Sequence, residues 1–181
     1  MVKRFVPLLV CLLLCGCSPA GVDTGAIAEH YAGLQEYSIQ VTASTVVGTV
    51  MEFELRVDRS PEEDTVMILA PEGIAGITAR IRQGSTALEY KGAVAETLLP
   101  GIPGFTSCDG VTGLLNDLAG ATPASATRCQ TESGESIQLC YSGRMQDGQQ
   151  TEKLVWLDPD YRLQRAELFV SGGLVMTIQA K

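Results

Sequence analysis

The chain is poor in the residues that carry most enzyme chemistry. It has one histidine and one tryptophan in 181 residues. With His30 as the sole imidazole, a Ser-His-Asp or Cys-His arrangement has a single base to draw on. No nucleophile stands in a G-x-S-x-G elbow beside it. There is no P-loop, no G-x-G-x-x-G after a strand and no H-E-x-x-H. No metal and no cofactor is therefore signalled. Carboxylates are plentiful, and a glycosidase-type pair leaves no spacing to read, so that chemistry is neither marked nor refused. Basic residues are scarce, 13 against 21 acidic ones, for a formal charge of −8. Nucleic acid asks for Lys and Arg clusters and is excluded as a partner. No apolar run approaches the roughly 20 residues a membrane-spanning helix needs. The expectation is a protein that is not an enzyme.

What the chain does have begins at its N-terminus. Lys3 and Arg4 precede an apolar run from Phe5 to Cys15, broken only by Pro7, and Leu14-Cys15-Gly16-Cys17 closes it. Charge, apolar core, then small residues make a secretory signal rather than a piece of the fold. The closing residues resemble the lipobox of bacterial lipoproteins. That resemblance implies removal of residues 1–16, acylation of the Cys17 thiol (palmitate-type) and attachment to the extracytoplasmic face of the cell membrane. Loss of Lys3 and Arg4 moves the formal charge from −8 to −10. Such a surface is repelled by anionic headgroups, so attachment rests on the lipid. Residues 17–23 read as lipidated cysteine and tether, and residues 24–181 as one domain, long enough to bury a core.

Six cysteines reduce to three once Cys11, Cys15 and Cys17 are assigned to the signal and anchor. Cys108, Cys129 and Cys140 remain, none in a C-x-x-C or beside a histidine. Outside the cytoplasm a disulfide is permitted. Cys129 and Cys140 flank a turn at Ser133-Gly134-Glu135, and a disulfide across that hairpin is expected. A four-residue loop sets them opposite; a tighter turn leaves them diagonal on one face.

Along the domain the hydrophobic period changes twice. Ile27, Tyr31 and Leu34 recur at helical spacing behind Thr24, a candidate N-cap, so a helix is expected over about residues 25–36. His30 lies on it and reads as a surface or satisfied histidine. From Tyr37 the period is two. Met51, Phe53, Leu55 and Val57 alternate with Glu52, Glu54, Arg56 and Asp58, the clearest amphipathic strand in the chain. Residues 60–64 form a charged turn, not a calcium loop. Strands are expected over residues 65–70, 77–82 and 86–90. Residues 98–105 are apolar yet broken by two prolines and two glycines, so neither helix nor central strand fits them. Val111, Leu114, Leu115 and Leu118 then form one helical stripe, stopped by Gly120. Five strands follow, over residues 125–132, 136–144, 152–158, 163–171 and 174–180. There are no repeats and no second domain boundary.

The segment Ile68-Leu69-Ala70-Pro71-Glu72-Gly73-Ile74-Ala75-Gly76-Ile77, then Leu88-Glu89-Tyr90-Lys91-Gly92 and the helix over residues 111–119, resembles the LolA/LolB superfamily. These are lipoprotein-sorting and lipid-carrier proteins, and the likeness is nearest to clostridial germination-lipoprotein-like members. It spans roughly residues 24–180; the three later cysteines are no part of it. The resemblance implies an α+β fold: a curved antiparallel sheet, an unclosed half-barrel, with two or three helices covering its concave face. It also implies two roles. One is binding an apolar ligand, an acyl chain or lipoprotein, in the half-barrel, with Phe53, Leu55, Ile68, Ile81, Leu115 and Trp156 as cavity candidates and residues 98–105 as a rim. The same periodicity fits a filled core. The other is docking or regulating an envelope protein such as a cell-wall or spore-cortex amidase.

Overall fold

The computed structural model describes residues 21–47, 49–82, 85–97, 106, 109–132, 134–145 and 147–181. Cys17, Cys108 and residues 98–105 lie outside them.

Helix α1 spans Thr24–Gly33. Asp23, one residue earlier than expected, is its N-cap: the carboxylate accepts a hydrogen bond from the Ala26 N–H at 3.0 Å. The helix stops at Gly33, short of Glu36, where glycine lowers the gain from continuing. Strands β1 (Tyr37–Val47) and β2 (Thr49–Arg59) form the long hairpin that the alternation requires. Strands β3 (Asp64–Ala70), β4 (Thr78–Arg82), β5 (Ser85–Tyr90) and β6 (Ala93–Thr97) continue outward, with a short 3-10 turn at Glu72–Ile74. Helix α2 spans Gly110–Gly120. Strands β7 (Ser125–Thr131), β8 (Gly134–Arg144), β9 (Gln150–Leu157), β10 (Leu163–Val170) and β11 (Gly173–Ala180) complete the chain.

All eleven described strands form one antiparallel sheet in the order β6-β5-β4-β3-β2-β1-β11-β10-β9-β8-β7. It is two meanders joined where β1 pairs with β11, Ala43 opposite Ile178. The two ends of the domain thus meet mid-sheet, and β6 and β7 are its free edges. In sequence α2 lies between those edges, so the connection returning across the sheet carries it.

One face of the sheet and both helices share a single core. Val41, Ala43, Leu55, Val57, Val155, Leu157, Leu168, Met176 and Ile178 of the sheet are buried with Ile27 and Tyr31 of α1 and Val111, Leu114, Leu115 and Leu118 of α2. The other face carries the polar half of each alternation, as an antiparallel sheet with one solvated face should. Gly110 opens α2 where the approach is closest. A Cβ there would lie 2.8 Å from the Met176 sulfur.

The register corrects two expectations. Cys129 pairs with Ser136 and Cys140 with Ser125. The hairpin closes with Thr131 opposite Gly134, a two-residue connection one position earlier than the Ser133-Gly134 turn considered from sequence. The two cysteines share a face but stand four residues apart along the strands, about 13 Å at 3.3 Å per residue. A disulfide needs Cα atoms within about 7 Å. Both are free thiols. Trp156 lies between Val155 and Leu157, both fully buried on the helix side, and so points to the opposite face. It pairs with Gln138 and Arg165. The Arg165 guanidinium sits 5.6 Å from the ring centroid. It is not a wall residue of the helix-covered interior.

Candidate functional site

Five of the six cavity candidates face the helices. Phe53, Leu55, Ile68 and Leu115 are core residues, the most exposed of them at 7%. Ile81 is half-buried and packs against the same core. It is brought to the surface by its place near the end of β4, opposite Asp64.

A polar clamp closes that end of the core. Arg59 ends β2 and Asp64 begins β3, directly opposite each other. Arg59 donates twice to the Asp64 carboxylate, at 2.9 Å each. Its Nη2, one of those two donors, also donates to α2: 2.7 Å to the Asn116 side-chain oxygen and 3.4 Å to the Thr112 carbonyl. Both charged side chains are largely buried, at 13% and 14% exposure. The bidentate fork is the geometry that makes such burial tolerable. On the other half of the sheet, Lys153 of β9 reaches Asp117 of α2 at 2.6 Å. Helix α2 is therefore tied by ion pairs or hydrogen bonds to both meanders.

Helix α1 is held by its own polar contact. The Tyr31 hydroxyl donates to the Tyr161 carbonyl at 2.7 Å, and burial pushes its phenol well above the usual tyrosine range. Burial, then the nearby Asp117, pushes Tyr141 up to about 12. His30 is exposed, with its ring edge-on to Tyr31 and Tyr161 at 5.3 and 5.9 Å between centroids. That is an aromatic surface contact rather than a base beside a nucleophile.

Beside the Arg59 clamp opens a cleft of about 550 Å³ between the ends of α1 and α2 and the β2–β3 and β3–β4 edges. Its apolar lining includes Leu34, Pro61, Ile81 and Ala119; its polar lining includes Glu62, Glu63 and Asn116. Arg82 and Arg80 bind Glu63 at 2.7 and 2.8 Å, and the hydrogen bond from Arg82 leads in holding its carboxyl below the usual range. A second cleft, of about 500 Å³, lies among Ser142, Arg144, Gln150, Glu152 and Phe169, and a third, of about 180 Å³, borders Asp117, Tyr141 and Lys153. None of the three is lined by Phe53, Leu55, Ile68 or Leu115. Among the described residues no group of three His, Cys, Asp or Glu side chains is placed to hold a metal ion.

The class of protein follows from the architecture: a wide unclosed antiparallel sheet covered by two helices. No family model matches the chain, and no curated protein matches it. Solved structures do. The chain is similar to an uncharacterized conserved protein from Thermus thermophilus, at 13% identity and TM-score 0.50, over 87% of this chain and 82% of that one. It is also similar to the LolA superfamily protein NE2245 from Nitrosomonas europaea, at 13% identity and TM-score 0.43, over 88% and 92%. A third is the structure of the CwlD amidase from Clostridioides difficile in complex with the GerS lipoprotein, at 9% identity and TM-score 0.41, over 100% and 97%. At 13% identity the likeness to the Thermus thermophilus protein is one of fold alone.

The sequence reading missed the Arg59–Asp64–Asn116 clamp. A trace of it was present: Arg59 and Asp64 are opposite charges flanking a tight turn, and Asn116 is a polar residue beside the apolar stripe of α2. What no periodicity supplies is that these three positions meet.

Proposed function

We propose that the chain is a lipoprotein of the extracytoplasmic face, anchored through acylated Cys17, that docks an envelope protein and performs no chemistry itself. The observation that carries this reading is the state of the interior. Phe53, Leu55, Ile68 and Leu115, the side chains an acyl chain would have to touch, are instead packed against one another and the helices, and border none of the three clefts. Among the described residues this is the arrangement of a filled core rather than of a lined cavity. The surface is left as the working part. The cleft at the Arg59 clamp, with Leu34 and Ile81 beside Glu62, has the mixed apolar and polar composition of a protein contact.

A second reading keeps one observation in its favour. Ile81 and Leu34 both pack against the core and both line the 550 Å³ cleft, so an apolar ligand has a doorway there. Under that reading the protein carries an acyl chain or a lipoprotein.

Cross-linking in the native membrane separates the two. A partner caught by the wild-type chain and lost on Glu62→Lys with Ile81→Asp supports docking. Lipid co-purifying in stoichiometric amount, with no protein captured, supports the carrier.

A further inference from the structure

The six exposed large apolar residues of the described sheet are Val50, Met51, Leu69, Tyr90, Val94 and Leu174. They come from five strands, yet all lie at the same end of the sheet. Val50 and Met51 begin β2, Leu69 nearly ends β3, Tyr90 ends β5, Val94 begins β6 and Leu174 begins β11. The registers place these positions together: Tyr90 opposite Ala93, Glu54 opposite Ala70, Thr45 opposite Met176. The opposite rim is different in kind. Its turns carry Glu62, Glu63, Glu132, Asp158 and Asp160 against Arg162, with Glu63 already paired to Arg80 and Arg82 of β4.

We propose that the apolar rim rests in the interface of the lipid bilayer and sets the orientation of the domain on it. This rests on the reading that Cys17 is the anchor. The spread of the side chains argues for a lipid surface. In sheet order they run from β6 to β11, six strand spacings or about 29 Å at roughly 4.8 Å each. Tips spaced along a rim are met together by an extended surface, not by a peptide in a groove. Residue types agree. Val50 and Val94 are 65% and 64% exposed at the start of their strands, free to enter an apolar layer. At the β5–β6 turn Lys91 lies 5.1 Å over the Tyr90 ring, an aromatic and a long cation of the kind that sits at headgroup level. Charge selects the direction, because the acidic rim is repelled by anionic headgroups.

The single tryptophan makes the test clean. Two full-chain variants carry Trp156→Phe, one with Val50→Trp on the apolar rim and one with Asp160→Trp on the acidic rim. Each is reconstituted through its lipid anchor into phosphatidylcholine/phosphatidylglycerol vesicles with brominated acyl chains. The indole at position 50 is expected to be quenched at least threefold more than the one at position 160. Adding Met51→Asp and Leu174→Asp should abolish that difference while the protein still floats with the vesicles. A chain that floats with equal quenching at both positions overturns the rim and leaves the anchor standing. A chain that does not float overturns the anchor. The rim is then read from the same variants added to preformed vesicles, where saturable quenching at position 50 alone upholds it and its absence overturns it.

Discussion

At the scale of single residues the fold depends on a few charged and phenolic groups taken out of water in pairs. Arg59 bonds Asp64, Asn116 and the Thr112 carbonyl together, at a place where its own side chain and that of Asp64 are mostly buried. Arg59→Ala leaves the Asp64 carboxylate without its fork and frees α2 from the β2–β3 turn. The expected loss is about 2–4 kcal/mol, read from urea unfolding. Asp64→Asn, which keeps an acceptor, should cost less. Tyr141 gives a pH dependence whose sign is fixed. Its phenol is pushed up to about 12 in the fold, chiefly by burial, and titrates near 10 when unfolded. Between those values the unfolded chain has given up a proton that the folded chain keeps. Stability is therefore whole below pH about 10 and is lost as the pH rises through about 12. Tyr31 acts in the same direction. Unfolding followed from pH 9 to 11.5 should show a steepening loss in the wild type, and Tyr141→Phe should flatten part of it.

The elements were the most legible part of the sequence. Period-two runs gave ten of the eleven strands to within a few residues, and the Val111, Leu114, Leu115, Leu118 stripe gave α2. Strand β6 was missed because Ala93-Val94-Ala95-Glu96-Thr97 is short and made mostly of small residues, so its alternation carries little hydrophobic contrast. Side-chain direction followed from parity wherever both neighbours were read. Trp156 was misplaced because its aromatic character outweighed the buried Val155 and Leu157 on either side. The cysteine register failed for another reason: moving a two-residue turn back by one position shifts every pairing by two residues, and Glu132 gives no turn signal of its own. The pairing of β1 with β11 joins the two ends of the domain, a contact no local pattern contains. Helix α2 draws its stability from the core it covers. Leu115 is 1% exposed, and Leu115→Ala should cost about 2–5 kcal/mol, with the spread set by how far α2 settles into the space. Chemical denaturation with an unchanged m-value is the check.

At the scale of the whole molecule the account joins an anchor, a packed domain and two unlike rims. The anchor is the simplest part to examine. Cys17→Ser should move the chain from the membrane fraction to the soluble fraction, because the domain is net acidic and the apolar rim orients it on the bilayer without anchoring it there. Persistent membrane attachment of that variant with an unmodified N-terminus would refute lipidation at Cys17. The interior is where the docking and carrier readings part most sharply. An acyl chain burying about 300 Å² gains about 7 kcal/mol before ordering costs, enough for micromolar binding if a cavity exists. Native mass spectrometry of the mature chain carrying Cys17→Ser, titrated with fatty acids and phospholipids to tens of micromolar, reads this directly. The packed interior predicts the mass of the protein alone throughout. A saturating one-to-one lipid adduct that Leu115→Trp removes, in a chain that still folds, would contradict it.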